Sequence, residues 1–256
     1  MDIYTGFASV YDLFMDDIPY RKWALQTRDL LHSYHAFSGI VAELGCGTGN
    51  LTDILSELGY DMIGIDISPD MLDIANEKSR AAGHDILYLC QDIREFELYG
   101  TCAAIISRCD SLNYITEYRD LVRVFRLVNN YLDPRAPFIF DMNSVYKYER
   151  VLGNRTIAEN REEGSFIWEN EYEAKSGKNI YDLTFYIDGG EGKYLRFEER
   201  HVQKAYSVEE IKAAAKAAGM RWGGVKDADT MEEVKEDTQR YLFTLFEQGK
   251  QALPQG

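Results

Sequence analysis

Residues 41–50 run Val41-Ala42-Glu43-Leu44-Gly45-Cys46-Gly47-Thr48-Gly49-Asn50. An apolar run that breaks into three alternating glycines is a buried strand turning sharply into a helix. Residues without a Cβ let the backbone fold tightly and approach a ligand closely. In an open α/β sheet such a turn lies at the carboxyl end of a strand, where ligands bind. Seventeen residues after Gly49, at the end of the next apolar run (Met62–Ile67), stands Asp66. A carboxylate there is placed to accept hydrogen bonds from two ribose hydroxyls. A third acid, Asp92, follows the third apolar run. Together these signals predict a nucleoside-containing cofactor.

The loop also discriminates among such cofactors. A dinucleotide fingerprint, G-x-G-x-x-G, needs a third glycine at position 50, which is Asn50. No G-x-x-x-x-G-K-[ST] occurs, so a P-loop is excluded. Glu43, inside the strand just before the turn, would repel a pyrophosphate but attract an ammonium or a sulfonium. The charge favours S-adenosylmethionine over a nicotinamide dinucleotide.

Working outward, strands and helices alternate. Strands are predicted at Ile40–Leu44, Met62–Ile67, Ile86–Cys90, Ala103–Ser107 and Phe138–Phe140. A helix after the glycine loop closes at Gly59. A second helix starts at Ser68-Pro69-Asp70 and stops at Gly83, with an N-cap, a first-turn proline and an early acid in place. A third spans Glu117–Leu132. Nearly continuous apolar strands alternating with helices argue for a parallel sheet covered on both faces. Before it, Asp17 reads as the N-cap and Pro19 as the first turn of a helix carrying Trp23, Leu30, Leu31 and Tyr34. From about 156 to 205 the period falls to two, with Phe166, Trp168 and Tyr172, then Tyr181, Leu183, Phe185 and Ile187. That rhythm predicts a small antiparallel sheet. Ser207 with Glu210 then forms a capping box, and strands follow near Met220–Val225 and Tyr241–Phe246. The expected fold is α/β, a Rossmann-like doubly wound, mostly parallel seven-stranded sheet with an antiparallel last strand. The expected organisation is a cofactor-binding core at 1–144 and 206–256, with residues 145–205 inserted as an antiparallel β lid or substrate subdomain.

Composition narrows the class. With 256 residues, 45% hydrophobic and 13% aromatic, the chain is too apolar for disorder and suits one domain carrying an insertion. No apolar run approaches the ~20 residues of a membrane span. Met1–Asp12 lacks the basic head and apolar stretch of a signal peptide. Cys46, Cys90, Cys102 and Cys109 show no CxxC pairing, which suits reduced thiols and a cytoplasmic location. The net charge of −15, with acids crowding the insertion (Glu159, Glu162, Glu163, Glu169, Glu171, Glu173), counts against nucleic-acid partners.

The core resembles the class I S-adenosylmethionine-dependent methyltransferases, specifically over about residues 38–145. Tyr4, Phe7-Ala8 and Tyr11-Asp12 resemble the aromatic N-terminal segment that many small-molecule members fold over the cofactor. Asp110-Ser111-Leu112-Asn113-Tyr114-Ile115 and Phe140-Asp141-Met142-Asn143 resemble a bacterial subgroup, and Arg240–Phe246 resembles the antiparallel seventh strand. The resemblance implies that Glu43 and the loop, Gly45, Cys46, Gly47 and Gly49, receive the methionine part. It implies that Asp66 holds the ribose and that Asp92 with Ile93 borders the adenine. Ile67, Met71 and Cys109 join the candidate set by position, and Tyr4, Tyr11 and Trp23 are candidates for the cofactor or the mouth of the site. Aromatics in a leader serve equally well as core. The family's usual Pro-Gly-Gly before strand five is Pro134-Arg135-Ala136 here.

Methyl transfer is an in-line displacement at an activated carbon, so positioning in a dry pocket supplies much of the rate. A general base is needed only where the acceptor arrives protonated. Asp110 and His201 are the catalytic candidates, and Asn113, Tyr114 and Tyr206 the substrate candidates. No metal is expected. The expected function is methyl transfer to nitrogen or oxygen of a small molecule. An RNA or macromolecule methyltransferase and a non-catalytic cofactor-binding module are the alternatives, and a nicotinamide dehydrogenase comes last. An aromatic antiparallel insert could also pair across a twofold axis to give a homodimer.

Overall fold

A computed structural model describes residues 8–15, 18–162 and 164–250, with only the backbone at 8–10. In chain order the elements are α1 (Ala8–Phe14), α2 (Tyr20–Ser33), β1 (Ile40–Leu44), α3 (Asn50–Glu57), β2 (Asp61–Asp66), α4 (Pro69–Ala82), β3 (Leu87–Cys90) and β4 (Ala104–Ser107). A 3₁₀ turn (Ser111–Tyr114), α5 (Tyr118–Tyr131), β5 (Pro137–Asn143) and a π-helical turn (Lys147–Leu152) come next. Then come β6 (Arg155–Asn160), β7 (Gly164–Glu173), β8 (Lys178–Asp188), β9 (Tyr194–Lys204), α6 (Val208–Ala217), β10 (Arg221–Asp227) and β11 (Arg240–Phe246).

Two sheets form. The larger has seven strands in the order β10-β11-β5-β4-β1-β2-β3, with only β11 running against its neighbours. The smaller, β6-β7-β8-β9, is an antiparallel meander. The caps act as the sequence predicts: Ser68 Oγ accepts from the Met71 amide, Gly83 ends α4 in the left-handed conformation, and Ser207 and Glu210 close a capping box. Two local expectations change. Tyr20 opens α2 and Pro19 sits outside as its cap residue, while Asp17 lies outside the described residues. β5 continues three residues beyond Phe140, because antiparallel β11 pairs with it as far as Arg240 opposite Asn143. That extension carries Asp141 and Asn143 to the sheet's carboxyl edge.

One face of the large sheet packs α2 and α3 through Trp23, Leu31, Leu51 and Leu55 on Val41, Ile106 and Ile139. The other packs α5 and α6 around an aromatic column of Phe125, Phe138, Phe140 and Phe243. Adjacent rings in this column lie 4.7–5.9 Å apart. Phe140 touches the other three and is fully buried. Phe140→Ala is expected to cost about 3–5 kcal/mol, a large share of the ~5–15 kcal/mol typical of a domain. Urea unfolding checks this, and an unchanged midpoint would refute the column's role.

Candidate active site

Strand order reverses at β1, which has β2 on one side and β4 on the other, so the carboxyl ends of β1 and β4 open a crevice. A cavity of about 730 Å³ fills it and extends to the inner face of the small sheet. At the end formed by the glycine loop, Gly45 and Cys46 donate their amides to Ile65 O at 2.7 and 3.0 Å, which locks the loop onto β2. Asp66 accepts from Gly47 N at 2.8 Å and Ser68 N at 2.9 Å, so its carboxylate is oriented by backbone alone. Burial raises the Asp66 pKa against these amides. Glu43 is buried beneath the loop and accepts from Thr52 Oγ1 at 2.5 Å. Burial pushes its carboxyl up to about 8, against the pull of Thr52 and Arg108. Asp92 is clamped by the Arg94 side chain, whose hydrogen bonds hold it below the usual carboxylate range.

A strap crosses this end. Asp12 on α1 accepts from Thr48 Oγ1 (2.7 Å), Asn50 Nδ2 (2.8 Å) and Lys78 Nζ (2.9 Å). Burial opposes its charge, yet these donors hold its pKa low. On the other side Phe14 packs edge-on against Phe166, and Arg161 donates to Leu13 O. One short helix therefore ties the glycine loop to the small sheet.

The opposite end is ionic and aromatic. Cys109 and Asp110 both adopt left-handed backbone conformations (φ 60° and 52°). The buried Asp141 carboxylate makes this tolerable by accepting their two amides at 3.3 and 2.7 Å. Arg108 Nε lies 2.9 Å from Asp141, and Arg240 Nη1 sits between Asp110 (2.8 Å) and Asp141 (3.1 Å). Both guanidiniums lie over Trp23. Gln203 donates to Asp110 Oδ2 at 2.8 Å and accepts from Tyr148 at 2.5 Å. His201 stacks on Tyr181 and its Nδ1 lies 3.0 Å from the Tyr114 hydroxyl, which is itself 3.0 Å from the Tyr181 hydroxyl. Burial lowers the His201 pKa to about 4, so the ring is neutral at pH 7.

The cavity brings together Tyr11, Trp23, Glu43, Gly45, Cys46, Gly47, Asp66, Ile67, Met71, Asp92, Ile93, Cys109, Asp110, Tyr114 and His201. Three sequence candidates lie elsewhere. Gly49 caps α3 in the left-handed conformation, and a Cβ there would meet the Tyr88 hydroxyl at 2.5 Å, so packing alone already calls for glycine at this position. Asn113 is fully buried outside the lining. Its Nδ2 donates to Lys204 O and Asn143 O, and its Oδ1 accepts from Asn143 N. Tyr206 is buried in the α5–α6 core with its hydroxyl on Ile115 O at 2.8 Å. Tyr4 lies outside the described residues. Sequence reasoning passed over Arg108, Asp141, Lys147, Gln203 and Arg240. An arginine ending the apolar run Ala103–Ser107, and an aspartate within Phe138–Asn143, were the available signals. Among the described residues no cluster of three or more metal-ligating side chains could hold a metal ion.

A methyltransferase-domain family profile matches residues 41–135. YqeM of Bacillus subtilis (strain 168), which carries a provisional methyltransferase name, is 34% identical over 94% of this chain and 96% of its own length. A crystal structure of an S-adenosylmethionine-dependent methyltransferase from Clostridium acetobutylicum ATCC 824 is 31% identical. It covers 97% of this chain and 100% of that one at a TM-score of 0.87. The chain belongs to the S-adenosylmethionine-dependent methyltransferases. CalS10, an amino pentose methyltransferase from Micromonospora echinaspora solved with S-adenosylmethionine bound, shares the fold at 16% identity and a TM-score of 0.72, over 95% of this chain and 97% of its own.

The residues fit the methyltransferase cofactor. Glu43 and Asp66 line one end of the cavity, where a sulfonium and an ammonium would meet negative or ionisable groups. Gly47 faces open space where a side chain would intrude. With its pKa near 8, Glu43 is mostly protonated at pH 7, and a cation beside it favours the ionised form. S-adenosylmethionine binding at pH 7 is therefore expected to release up to about 0.9 proton, with affinity rising between about pH 6 and pH 8. Calorimetry in buffers of different ionisation enthalpy reads the release, and Glu43→Gln should abolish it. Asp12→Ala, which unties α1 from the loop, is expected to weaken S-adenosylhomocysteine binding about tenfold, the worth of one charge-assisted hydrogen bond. An unchanged Kd would show that the strap plays no part in holding the cofactor.

Proposed function

We propose that this methyltransferase alkylates a nitrogen or oxygen of a small-molecule acceptor, and that the small sheet forms one wall of the acceptor pocket. The observation that carries the reading is the single cavity of about 730 Å³ running from Asp66 and Glu43 to the side chains of β7, β8 and β9. That size lies within the roughly 300–1,000 Å³ of small-molecule sites. In this partition, residues 1–144 and 206–256 bind the donor and 145–205 select the acceptor. Phe166, Trp168, Tyr181, Leu183 and Phe185 supply an apolar wall, as suits a compact organic acceptor. The amino pentose acceptor of CalS10 illustrates the size class. The excess of acidic residues argues against nucleic acid, and four free thiols suit a reducing, cytoplasmic compartment.

S-adenosylmethionine, when bound, would supply an electrophilic methyl group on a sulfonium to a lone pair of the acceptor. The chain's part is to orient and to exclude water. Asp66 and the glycine loop would fix the donor, and the aromatic wall would dry the reacting end. Asp110 accepts from Arg240 and Gln203 on its two oxygens, which suits a positioning anion better than a proton acceptor. His201 is neutral at pH 7, but a group of pKa about 4 holds a proton weakly, so it suits shaping the Tyr114–Tyr181 side of the pocket.

Incubation with S-adenosylmethionine and a panel of small amines, phenols and acids, followed by S-adenosylhomocysteine release, tests the reading. Turnover of tRNA or protein with no small acceptor would overturn it. With a working acceptor, His201→Ala should lower kcat less than about tenfold, below the usual 10²–10⁴ contribution of a general base. At saturating S-adenosylmethionine, which holds Glu43 ionised, the kcat/KM profile for the acceptor should show no inflection between pH 5 and 8. A hundredfold loss would make His201 the base.

A further inference from the structure

Three cations and two carboxylates meet where the acceptor end of the cavity adjoins β4, β5 and β11: Arg108, Lys147 and Arg240 against Asp110 and Asp141. The carboxylates are already engaged. Asp141 serves two guanidiniums and two backbone amides, and Asp110 serves Arg240 and Gln203. One positive charge is left without a counterpart. Arg108 is 1% exposed and lines the cavity, yet its Nη1 and Nη2 have no hydrogen-bond acceptor among the described residues. A guanidinium stays charged when buried, and unmet buried donors are costly. Lys147, from the π-helical turn, points its ammonium at Asn143 Oδ1 (3.0 Å), a neutral partner. Burial and the neighbouring Arg240 both work against its charge. Glu43, on the Arg108 side, accepts from Thr52 Oγ1 and makes no hydrogen bond to the Arg108 Nη groups, so it does not supply the missing partner.

A guanidinium with two free Nη groups in a closed pocket matches the paired oxygens of a carboxylate. We propose that the acceptor carries a carboxylate, which seats on Arg108 and Lys147 while its organic body lies along the aromatic wall of the small sheet. This rests on the reading that the cavity takes a small acceptor, and names its class. The donor's own methionine carboxylate is the rival source of the same chemistry.

The test separates the two. Protein saturated with S-adenosylhomocysteine is titrated calorimetrically with phenylacetate and with phenylacetamide, which share a shape and differ in charge. The acid is expected to bind at least tenfold more tightly than the amide. Arg108→Gln and Lys147→Gln should each shrink that preference at least fivefold, with S-adenosylhomocysteine affinity held within threefold. Lys147 lies on the π-helical turn outside the seven-stranded core, with Asn143 as its hydrogen-bond partner, so Lys147→Gln tests the site even if Arg108→Gln misfolds. Equal binding of acid and amide by the unaltered protein, or no binding of either, overturns the proposal. A large loss of S-adenosylhomocysteine binding in Arg108→Gln, with the acid preference intact, assigns the anion site to the donor and overturns it as well. These are binding readouts, so failure of small-molecule methylation would show separately, as missing S-adenosylhomocysteine in the turnover assay.

Discussion

A single buried carboxylate holds the working edge of this molecule together. Asp141 has no solvent exposure, and an isolated charge so placed would cost several kcal/mol. It is tolerated because two backbone amides and two guanidiniums converge on it. Those partners come from the β4 turn and from β11, so the aspartate on β5 fastens three neighbouring strands at their ends. The left-handed Cys109 and Asp110, which turn the chain beside the cavity, depend on it directly. The attraction of Arg108 and Arg240 holds Asp141 ionised despite its burial. Arg240 gains in turn: burial opposes its charge, but Asp110 and Asp141 more than offset this and raise its pKa.

The architecture was legible in the sequence because its signals are local. Glycines at a strand end, Ser68-Pro69, the Ser207–Glu210 box and the change from helical to twofold rhythm each follow from the conformation of a few adjacent residues. The seven-stranded sheet and the small antiparallel sheet follow from these. Errors fell at boundaries set by distant partners. β5 outran its expected end because β11, about a hundred residues later, pairs with it through Asn143.

One end of the cavity was legible for the same reason: Glu43, Gly45, Gly47 and Asp66 lie in one loop and the strand beside it. The other end was not. Arg108, Lys147, Gln203 and Arg240 are far apart in the chain, and no spacing rule joins them. An isolated arginine after an apolar strand carries no mark of the aspartate it will meet. Tyr206 and Asn113 lie apart from the cavity lining because a polar group at that end of the sheet can point inward to the core as readily as outward to a cavity.

Asn113 has a wider meaning. Its side-chain amide touches the carbonyls of Asn143 and Lys204, the residues at which the chain departs for the small sheet and returns from it. Some sixty residues thus leave and rejoin the host through one stapled doorway, without disturbing the order of the parental strands. A segment attached in this way is a cassette. Changes within it can reshape the wall it lends the cavity while the register of the seven-stranded sheet stays as it is.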